Sequence, residues 1–176
     1  MRRMITLCLY NTYDKKRLHD IHIRSVARAA PVCSVCGMTL ALLDFPHAMY
    51  ETVEGSTTIG ECGTYFYHLR KENRYYELHD RFPLGTLVAT TCHPDEKKSI
   101  STHSLLTLCM KKNIILIMGL GRRGLPKDIR EKASHHWDAT GKGISLETCA
   151  AMGFIGGILF ALNAGKRKEG TKIKYG

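Results

Sequence analysis

Three glycines fall within six residues where an apolar run ends, in the segment IILIMGLGRRGLP, residues 114–126. Glycine has no Cβ, so its backbone accepts positive φ angles and lets a ligand approach the chain closely. A second apolar run, ISLETCAAMGFIGGILFAL, covers residues 144–162. Gly119, Gly121 and Gly124 are therefore candidates for a ligand-binding loop, and the crevice between the two runs is the candidate site.

The spacing of these glycines is that of G-x-G-x-x-G, the fingerprint of dinucleotide-binding Rossmann folds. That fingerprint opens a βαβ unit and is followed, about 20 residues later, by an acidic residue after a second strand. Here the loop lies late in the chain and no such residue follows, which disfavours a nucleotide-binding oxidoreductase. A Walker phosphate loop is excluded because no G-K-[ST] follows the glycines.

Cysteine and histidine pairs are the other candidates for chemistry. Cys33 and Cys36 form a C-x-x-C, but zinc needs four ligands and no second close pair exists. His135 and His136 are adjacent and lack a partner at helical spacing. We therefore predict no metal site, and we place Cys33 and Cys36 in a loop leading into the second strand.

The elements that would position the crevice follow from hydrophobic patterning. Short apolar runs predict strands at residues 4–10, 38–45, 86–94 and 114–121. Helices are predicted over 14–30, capped by Asp14 and ended by Pro31, over 101–113 with Ser101 as cap, after Pro126, and over 144–162. Segment 65–78 is predicted as a helix followed by a strand, with a hairpin as the alternative.

The predicted strands are apolar without alternation and take turns with helices, which indicates a mostly parallel sheet covered by helices on both faces. Ligands of such sheets bind beyond the carboxyl ends of the strands. Thr91 in TTCHP, the glycine loop and DATGKGIS all lie at such ends. We expect one domain over residues 1–165 and a basic tail over 166–176.

Charge and cysteine usage bear on partners and compartment. With 26 Lys and Arg against 16 Asp and Glu, the net charge is +10, which favours a polyanionic partner, nucleic acid first. The segment YFYHLRKENRYY interleaves aromatic and basic residues, as single-stranded RNA sites do, although half of these rings would also serve a core. Seven scattered cysteines, no export signal and no bilayer-length apolar run predict a cytoplasmic protein without disulfides.

Two linked motifs in this chain, IILIMGLGRRGLP and ISLETCAAMGFIGGIL, resemble the two C-terminal motifs of the SPOUT, or α/β-knot, methyltransferases. The segment RSVARAAPVCSVCG is similar to the Arg-containing first motif of that family, with Arg28 as the counterpart. More closely, GLGRRGLPK, DATGKGISLETC and the opening LYNTYD resemble an archaeal SPOUT-like family of unknown function.

The resemblance implies a C-terminal deep trefoil knot, an exception to the rule of unknotted chains. It also implies a homodimer that binds S-adenosylmethionine in the knot and methylates RNA, either tRNA or rRNA. The residues implied to bind the cofactor are Thr91, Gly119, Leu120, Gly121, Gly124, Ile144 and Leu146. Arg28 and Asp138 are implied to act on the acceptor side as catalytic residues.

This chain departs from the family pattern at two places. Many SPOUT enzymes carry a Glu inside the glycine loop, where this chain has Arg122-Arg123, and the usual Asn after Ser-Leu is Glu147 here. These departures leave open an alternative function, a non-catalytic knotted module that binds RNA or a protein.

Overall fold

The structure, a computed structural model, describes residues 4–46, 49–54, 62–121 and 123–167. Six strands form one sheet in the order β3-β2-β1-β5-β4-β6. All five strand pairings are parallel. The strands are β1 (Ile5–Tyr10), β2 (Thr39–Leu43), β3 (Tyr75–Leu78), β4 (Thr86–Thr90), β5 (Ile114–Gly119) and β6 (His135–Trp137). The helices are α1 (Asp20–Cys36), α2 (Met49–Glu54), α3 (Cys62–Lys71), α4 (Thr102–Lys111), α5 (Lys127–Lys132) and α6 (Thr148–Arg167).

The sheet is covered on both faces, as the unbroken apolar strands predicted. One face packs against residues of α1, α2, α3, α4 and α6, in a core that includes Leu7, Leu116 and Trp137. The other face packs against Ile129 of α5 and its flanking residues, around Ile115 of the sheet. The central strands β1 and β5 are buried almost throughout, which explains why their sequences show no polar alternation.

Helix α1 differs from its prediction at both ends. Asp14 does not cap it; the Asp14 Oδ1 accepts hydrogen bonds from the amides of Lys16 and Arg17, at 2.8 and 3.0 Å, in a turn that precedes the helix. Pro31 does not end it, although a proline inside a helix costs about 3 kcal/mol. Burial of the apolar face of α1, which continues past the proline, offsets that cost. The helix ends at Gly37, whose φ of +67° is the left-handed conformation of a helix cap.

The Cys33 and Cys36 pair consequently lies in the last turn of α1, and the prediction of a loop at these residues is wrong. Cys33 is fully buried, and burial raises the pKa of its thiol. Burial also raises the pKa of Cys36, whose Sγ lies 3.2 Å from the carbonyl oxygen of Gly156 in α6. Both side chains thus serve the packing of α1 against the rest of the domain.

Several other elements agree with their predictions. Residues 65–78 form the end of α3 and then β3, rather than a hairpin. Ser101 caps α4 by accepting a hydrogen bond from the amide of Ser104 at 3.1 Å. The sequence did not predict β6 or α2, and the last helix begins at Thr148 rather than at residue 144.

The short strand β6 carries the two adjacent histidines. His136 is buried; its Nδ1 accepts from the Asp95 amide at 3.0 Å, and its Nε2 donates to the Arg130 carbonyl oxygen at 2.9 Å. This ring thereby ties the loop after β4 to the end of α5. Both ring nitrogens are used within the fold.

Other expectations concern the ends and the path of the chain. Residues 168–176, most of the expected basic tail, lie outside the described residues, while residues 166–167 belong to α6. The trefoil knot and the domain limits of 1–165 stay predictions. Within the described part of the chain, no helix is both long and apolar enough to cross a bilayer.

Candidate active site

The loops that follow β4, β5 and β6 meet at the carboxyl edge of the sheet. The Thr91 amide donates to the carbonyl oxygen of Trp137 at 3.0 Å, joining the first loop to the third. The Gly121 amide donates to the hydroxyl of Thr148 at 3.0 Å, joining the glycine loop to the start of α6. A Cβ placed on Gly143 would lie 3.6 Å from the Cys92 carbonyl oxygen. We call the space between these loops the crevice.

The glycine loop is closed upon itself. A Cβ on Gly119 would lie 2.6 Å from the carbonyl carbon and oxygen of Gly124, so glycine is required for the two ends of the loop to touch. Gly121 has a φ of +81°, and a Cβ there would lie 2.9 Å from ring atoms of Tyr13. Gly124, with a φ of +60°, has no atom of any described residue within 4 Å of its Cβ position. Among the residues that the structure describes, Gly119 and Gly121 have close neighbours at the Cβ position and Gly124 has none.

Leu120 is anchored in the protein rather than presented to solvent. Its side chain is 1% exposed. Its amide donates to the Tyr10 carbonyl oxygen at 3.1 Å, and its own carbonyl oxygen accepts from the Thr12 hydroxyl. The Gly121 carbonyl oxygen accepts from the Gly124 amide at 3.2 Å. The glycine loop is therefore a fixed wall of the crevice. Leu120 contributes to a binding site by holding that wall in place, because its own side chain is buried.

The loop over residues 138–147 is organised by one carboxylate. Asp138 Oδ1 accepts from the amide and the hydroxyl of Thr140 at 3.0 and 2.7 Å, and Oδ2 accepts from the Gly143 amide at 2.7 Å. Burial acts to raise the pKa of Asp138, but the hydrogen bonds from Gly143 and Thr140 outweigh it and lower that pKa. The geometry makes Asp138 a positioning residue of this loop.

The end of the same loop offers groups that would suit a nucleobase. Ile144 and Leu146 are 53% and 36% exposed. The backbones of Ser145 and Leu146 make no hydrogen bond to any residue that the structure describes. Free main-chain donors and acceptors flanked by apolar side chains match the edge and the faces of an adenine. Of the three apolar residues predicted here, Ile144 and Leu146 are available at the surface and Leu120 is not.

Glu147, which departs from the family pattern, has a structural role in this chain. Its Oε2 accepts from the amides of Cys149 and Ala150, at 2.9 and 3.2 Å, in the first turn of α6. A carboxylate at this position satisfies amides that have no partner within the helix and interacts favourably with its dipole. Glu147 thus fixes the start of α6 at the rim of the crevice.

Arg28 projects from the exposed side of α1 toward the same helix start. Its Nη1 donates to the Sγ of Cys149 at 3.3 Å. Cys149 follows Thr148, which holds the Gly121 amide. The structure therefore brings Arg28 to the first turn of α6, where the glycine loop and the loop 138–147 also arrive.

Sequence reasoning missed Asn11, which organises the loop after β1. Its Oδ1 accepts from the Tyr13 amide at 2.8 Å and pairs with Nε2 of His22 at 3.0 Å. Its Nδ2 donates to the carbonyl oxygens of Asp14 and Asp44 at 3.0 and 2.9 Å. Burial lowers the pKa of His22, which favours the neutral ring that this network needs. The available signal was a polar residue directly after a buried parallel strand.

A second cavity, the β1 pocket, lies on the other side of the glycine loop. It has a volume of about 330 Å³ and is lined by the end of β1 and by the loops that follow β1 and β5. Its lining includes Tyr10, Asn11, Tyr13, Lys15, Arg123 and Pro126. The glycine loop is therefore a wall shared by the crevice and the β1 pocket.

Comparison with known sequences identifies the family. The model of the family described as "Protein of unknown function (DUF531)" matches residues 5–160. The chain is 44% identical over 159 residues to "Uncharacterized protein MJ0224" of Methanocaldococcus jannaschii, covering 90% of this chain and 94% of that protein.

Comparison with solved structures identifies the fold. A probable methylase family protein from Haemophilus influenzae superposes with a TM-score of 0.63 at 17% identity, over 100% of this chain and 73% of that one. A structure described as giving insights into the 2-OH methylation of C/U34 on tRNA has a TM-score of 0.57 at 18% identity, covering 97% and 100% of the two chains.

A third similar structure contains a cofactor. The SpoU methyltransferase AviRb from Streptomyces viridochromogenes, in complex with AdoMet, has a TM-score of 0.58 at 14% identity, covering 93% of this chain and 60% of that one. At such identities these likenesses concern the fold alone. The chain belongs to the family described as DUF531, and it has the α/β fold of the SPOUT methyltransferases.

Proposed function

We propose that this protein is an S-adenosylmethionine-dependent RNA methyltransferase of the SPOUT type, acting on tRNA or rRNA. The observation that carries the proposal is the meeting of three strand-end loops around one crevice. There, exposed Ile144 and Leu146 lie beside backbone groups of residues 145 and 146 to which no described residue is hydrogen-bonded. The solved structures of the same fold support it, because one is described by tRNA methylation and another holds AdoMet. The net charge of +10 suits a polyanionic substrate.

The proposed reaction needs few catalytic side chains. The bound cofactor would supply a methyl group on a sulfonium for transfer to an oxygen or nitrogen of the RNA, with the broken S–CH3 bond leaving a neutral thioether. The protein mainly has to align the acceptor, exclude water and accept the acceptor's proton. Backbone groups of residues 145 and 146 would bind the adenine edge, while Thr91 and the glycine loop form the walls. Arg28, a residue of α1 that contacts the first turn of α6, faces the acceptor side in this proposal.

Asp138 has a different role in this proposal from that of a base. Its low pKa and its three hydrogen bonds within the loop make it a poor proton acceptor. It shapes the crevice by holding residues 140–143 in place.

We include a homodimer in the proposal. Helix α6 exposes an apolar stripe at helical spacing, with Phe154 46% and Phe160 49% exposed. The other exposed members of the stripe are Ala150, Gly153, Gly157 and Ala161. Small residues beside two aromatic rings allow close approach of a second copy. Light scattering should give twice the mass of one chain, and Phe154→Lys should give a monomer; a monomeric unaltered protein would contradict the dimer.

A non-catalytic module that binds RNA or a protein is the second candidate. It is favoured by two departures from the family pattern: Arg122-Arg123 in the glycine loop, and Glu147, whose carboxylate binds amides of α6. In such a module the crevice would be a structural remnant.

Titration calorimetry with S-adenosylmethionine separates the two candidates. The methyltransferase proposal expects saturable binding at millimolar cofactor or below. It also expects transfer of labelled methyl to RNA from cells lacking the protein, with the modified nucleoside identified by mass spectrometry. No binding of cofactor at millimolar concentration would contradict the methyltransferase and support the module.

A further inference from the structure

The β1 pocket combines cationic, aromatic and backbone groups, outside the crevice described above. Lys15 and Arg123 both line it, Lys15 from the loop after β1 and Arg123 from the glycine loop. Lys16 and Arg17, both exposed, continue the basic rim from Lys15. The neighbouring acid, Asp14, is occupied by the backbone amides of its own turn.

The two lining cations are held differently. Lys15 Nζ lies 2.6 Å from Asp44 Oδ2 and 3.5 Å from the Tyr10 hydroxyl, so its charge is partly compensated and its position is fixed. Arg123 is exposed and makes no hydrogen bond or ion pair with the part of the chain that the structure describes. The guanidinium of Arg123 thus supplies positive charge that nothing described neutralises, and its planar fork matches the oxygens of a phosphate.

Tyr13 gives the pocket a surface for a planar ligand. Its side chain is 48% exposed. The inner side of the ring packs against Gly121 and meets His22 edge-on, with ring centroids 6.2 Å apart. The Tyr13 amide is held by Asn11, so the ring has a fixed position from which a base can stack on it.

We propose that the β1 pocket binds a backbone phosphate of the RNA substrate between Arg123 and Lys15, with the adjoining nucleotide against Tyr13. This inference rests on the proposed function for the identity of the RNA. Because the glycine loop separates the pocket from the crevice, a phosphate held here fixes the RNA chain next to the nucleotide presented to the crevice. The pocket would therefore set the register of the RNA without taking part in methyl transfer.

The test measures binding of labelled, unfractionated tRNA by fluorescence anisotropy across a KCl series. Arg123→Gln is expected to weaken binding roughly tenfold at low salt, the loss of one charge-assisted contact. It should also reduce the slope of log K against log salt by about one, because one phosphate contact fewer displaces one counterion fewer. Lys15→Gln should act in the same direction.

Lys112→Gln is the matched control. It removes one positive charge from an exposed residue that precedes β5, at the amino ends of the strands and away from the pocket. Equal slopes for Arg123→Gln and Lys112→Gln would overturn the proposal. Adenosine 5′-monophosphate is the second probe. If Arg123→Gln abolishes its binding but leaves tRNA binding unchanged, the pocket serves a free nucleotide and the proposal is likewise overturned.

Calorimetry with S-adenosylmethionine on the same variants keeps the two proposals apart. Unchanged cofactor binding in Arg123→Gln together with a lower salt slope supports the pocket. If the unaltered protein binds no cofactor, the methyltransferase proposal fails, while the salt slopes still decide whether Arg123 contacts RNA.

Discussion

The two walls of the crevice are built in opposite ways. The glycine loop is closed by backbone packing of Gly119 on Gly124. Main-chain groups of Leu120 and Gly121 form hydrogen bonds within the loop and to neighbouring elements. The loop 138–147 is exposed over residues 141–147 and depends on the single carboxylate of Asp138. One wall is therefore fixed by sterics, and the other is held by a few hydrogen bonds and can adapt to a ligand.

Gly119→Ala tests the fixed wall and should have the largest effect. The new methyl group would meet the backbone of Gly124 at 2.6 Å, and backbone cannot move aside as a side chain can. We expect a loss of about 3 kcal/mol in the free energy of unfolding, measured by urea denaturation, together with loss of cofactor binding.

Gly124→Ala is the matched control for that wall. Its Cβ would meet no atom of the described chain within 4 Å, so the penalty comes from the positive φ of +60°, at about 1–2 kcal/mol. Equal destabilisation by the two substitutions would show that close packing of the loop is unimportant.

Asp138→Asn tests the adaptable wall and should have an intermediate effect. An amide group keeps the shape but weakens the hydrogen bonds to Thr140 and Gly143, which should cost about 1–2 kcal/mol and loosen the loop. Affinity for S-adenosylmethionine, measured by calorimetry, should fall more than the stability alone accounts for.

The effect of Asp138 should also depend on pH. Its folded-state pKa is lowered, so its contribution is fully present above the unfolded pKa of about 3.9 and is lost as pH falls through the lower folded value. The difference in Tm between the unaltered protein and Asp138→Asn should therefore shrink below about pH 4. A difference that stays constant down to acid pH would contradict the assigned hydrogen bonds.

Leu146→Ser tests the exposed end of the adaptable wall and should have the smallest effect. Because Leu146 is 36% exposed, stability should change by less than about 0.5 kcal/mol. Cofactor affinity should fall about fivefold if the side chain covers the adenine, from the loss of roughly 1 kcal/mol of apolar contact. Unchanged affinity would place the adenine elsewhere.

The sheet could be predicted because burial leaves a simple pattern. Strands β1 and β5 lie between helices on both faces, so nearly every residue is apolar and the run itself marks the strand. Strand β6 has three residues and begins with two histidines whose strand partners, in β4, are distant in sequence. No local pattern indicates such a strand.

The candidate site could be predicted in part. The glycine loop and DATGKGIS were recognised from residue types at strand ends, and the structure brings them together. The structural reason for each glycine could not be inferred from the sequence. Gly119 is required by its contact with Gly124 and Gly121 by its contact with Tyr13, and both are tertiary contacts. The prediction that Pro31 ends α1 is wrong for the same reason, because the packing of α1 outweighs the local preference of proline against a helix interior.

The hydrogen bond between the Gly121 amide and the Thr148 hydroxyl would transmit the effect of ligand binding from the glycine loop to α6. A ligand that reduces the motion of the glycine loop should also reduce the opening of the first turn of α6, even if the ligand does not contact that turn. Amide hydrogens in that turn should exchange with deuterium more slowly in the loaded protein. Replacing Thr148 by Val should confine the protection to the loop, because the hydroxyl is the group that connects the glycine loop to the helix.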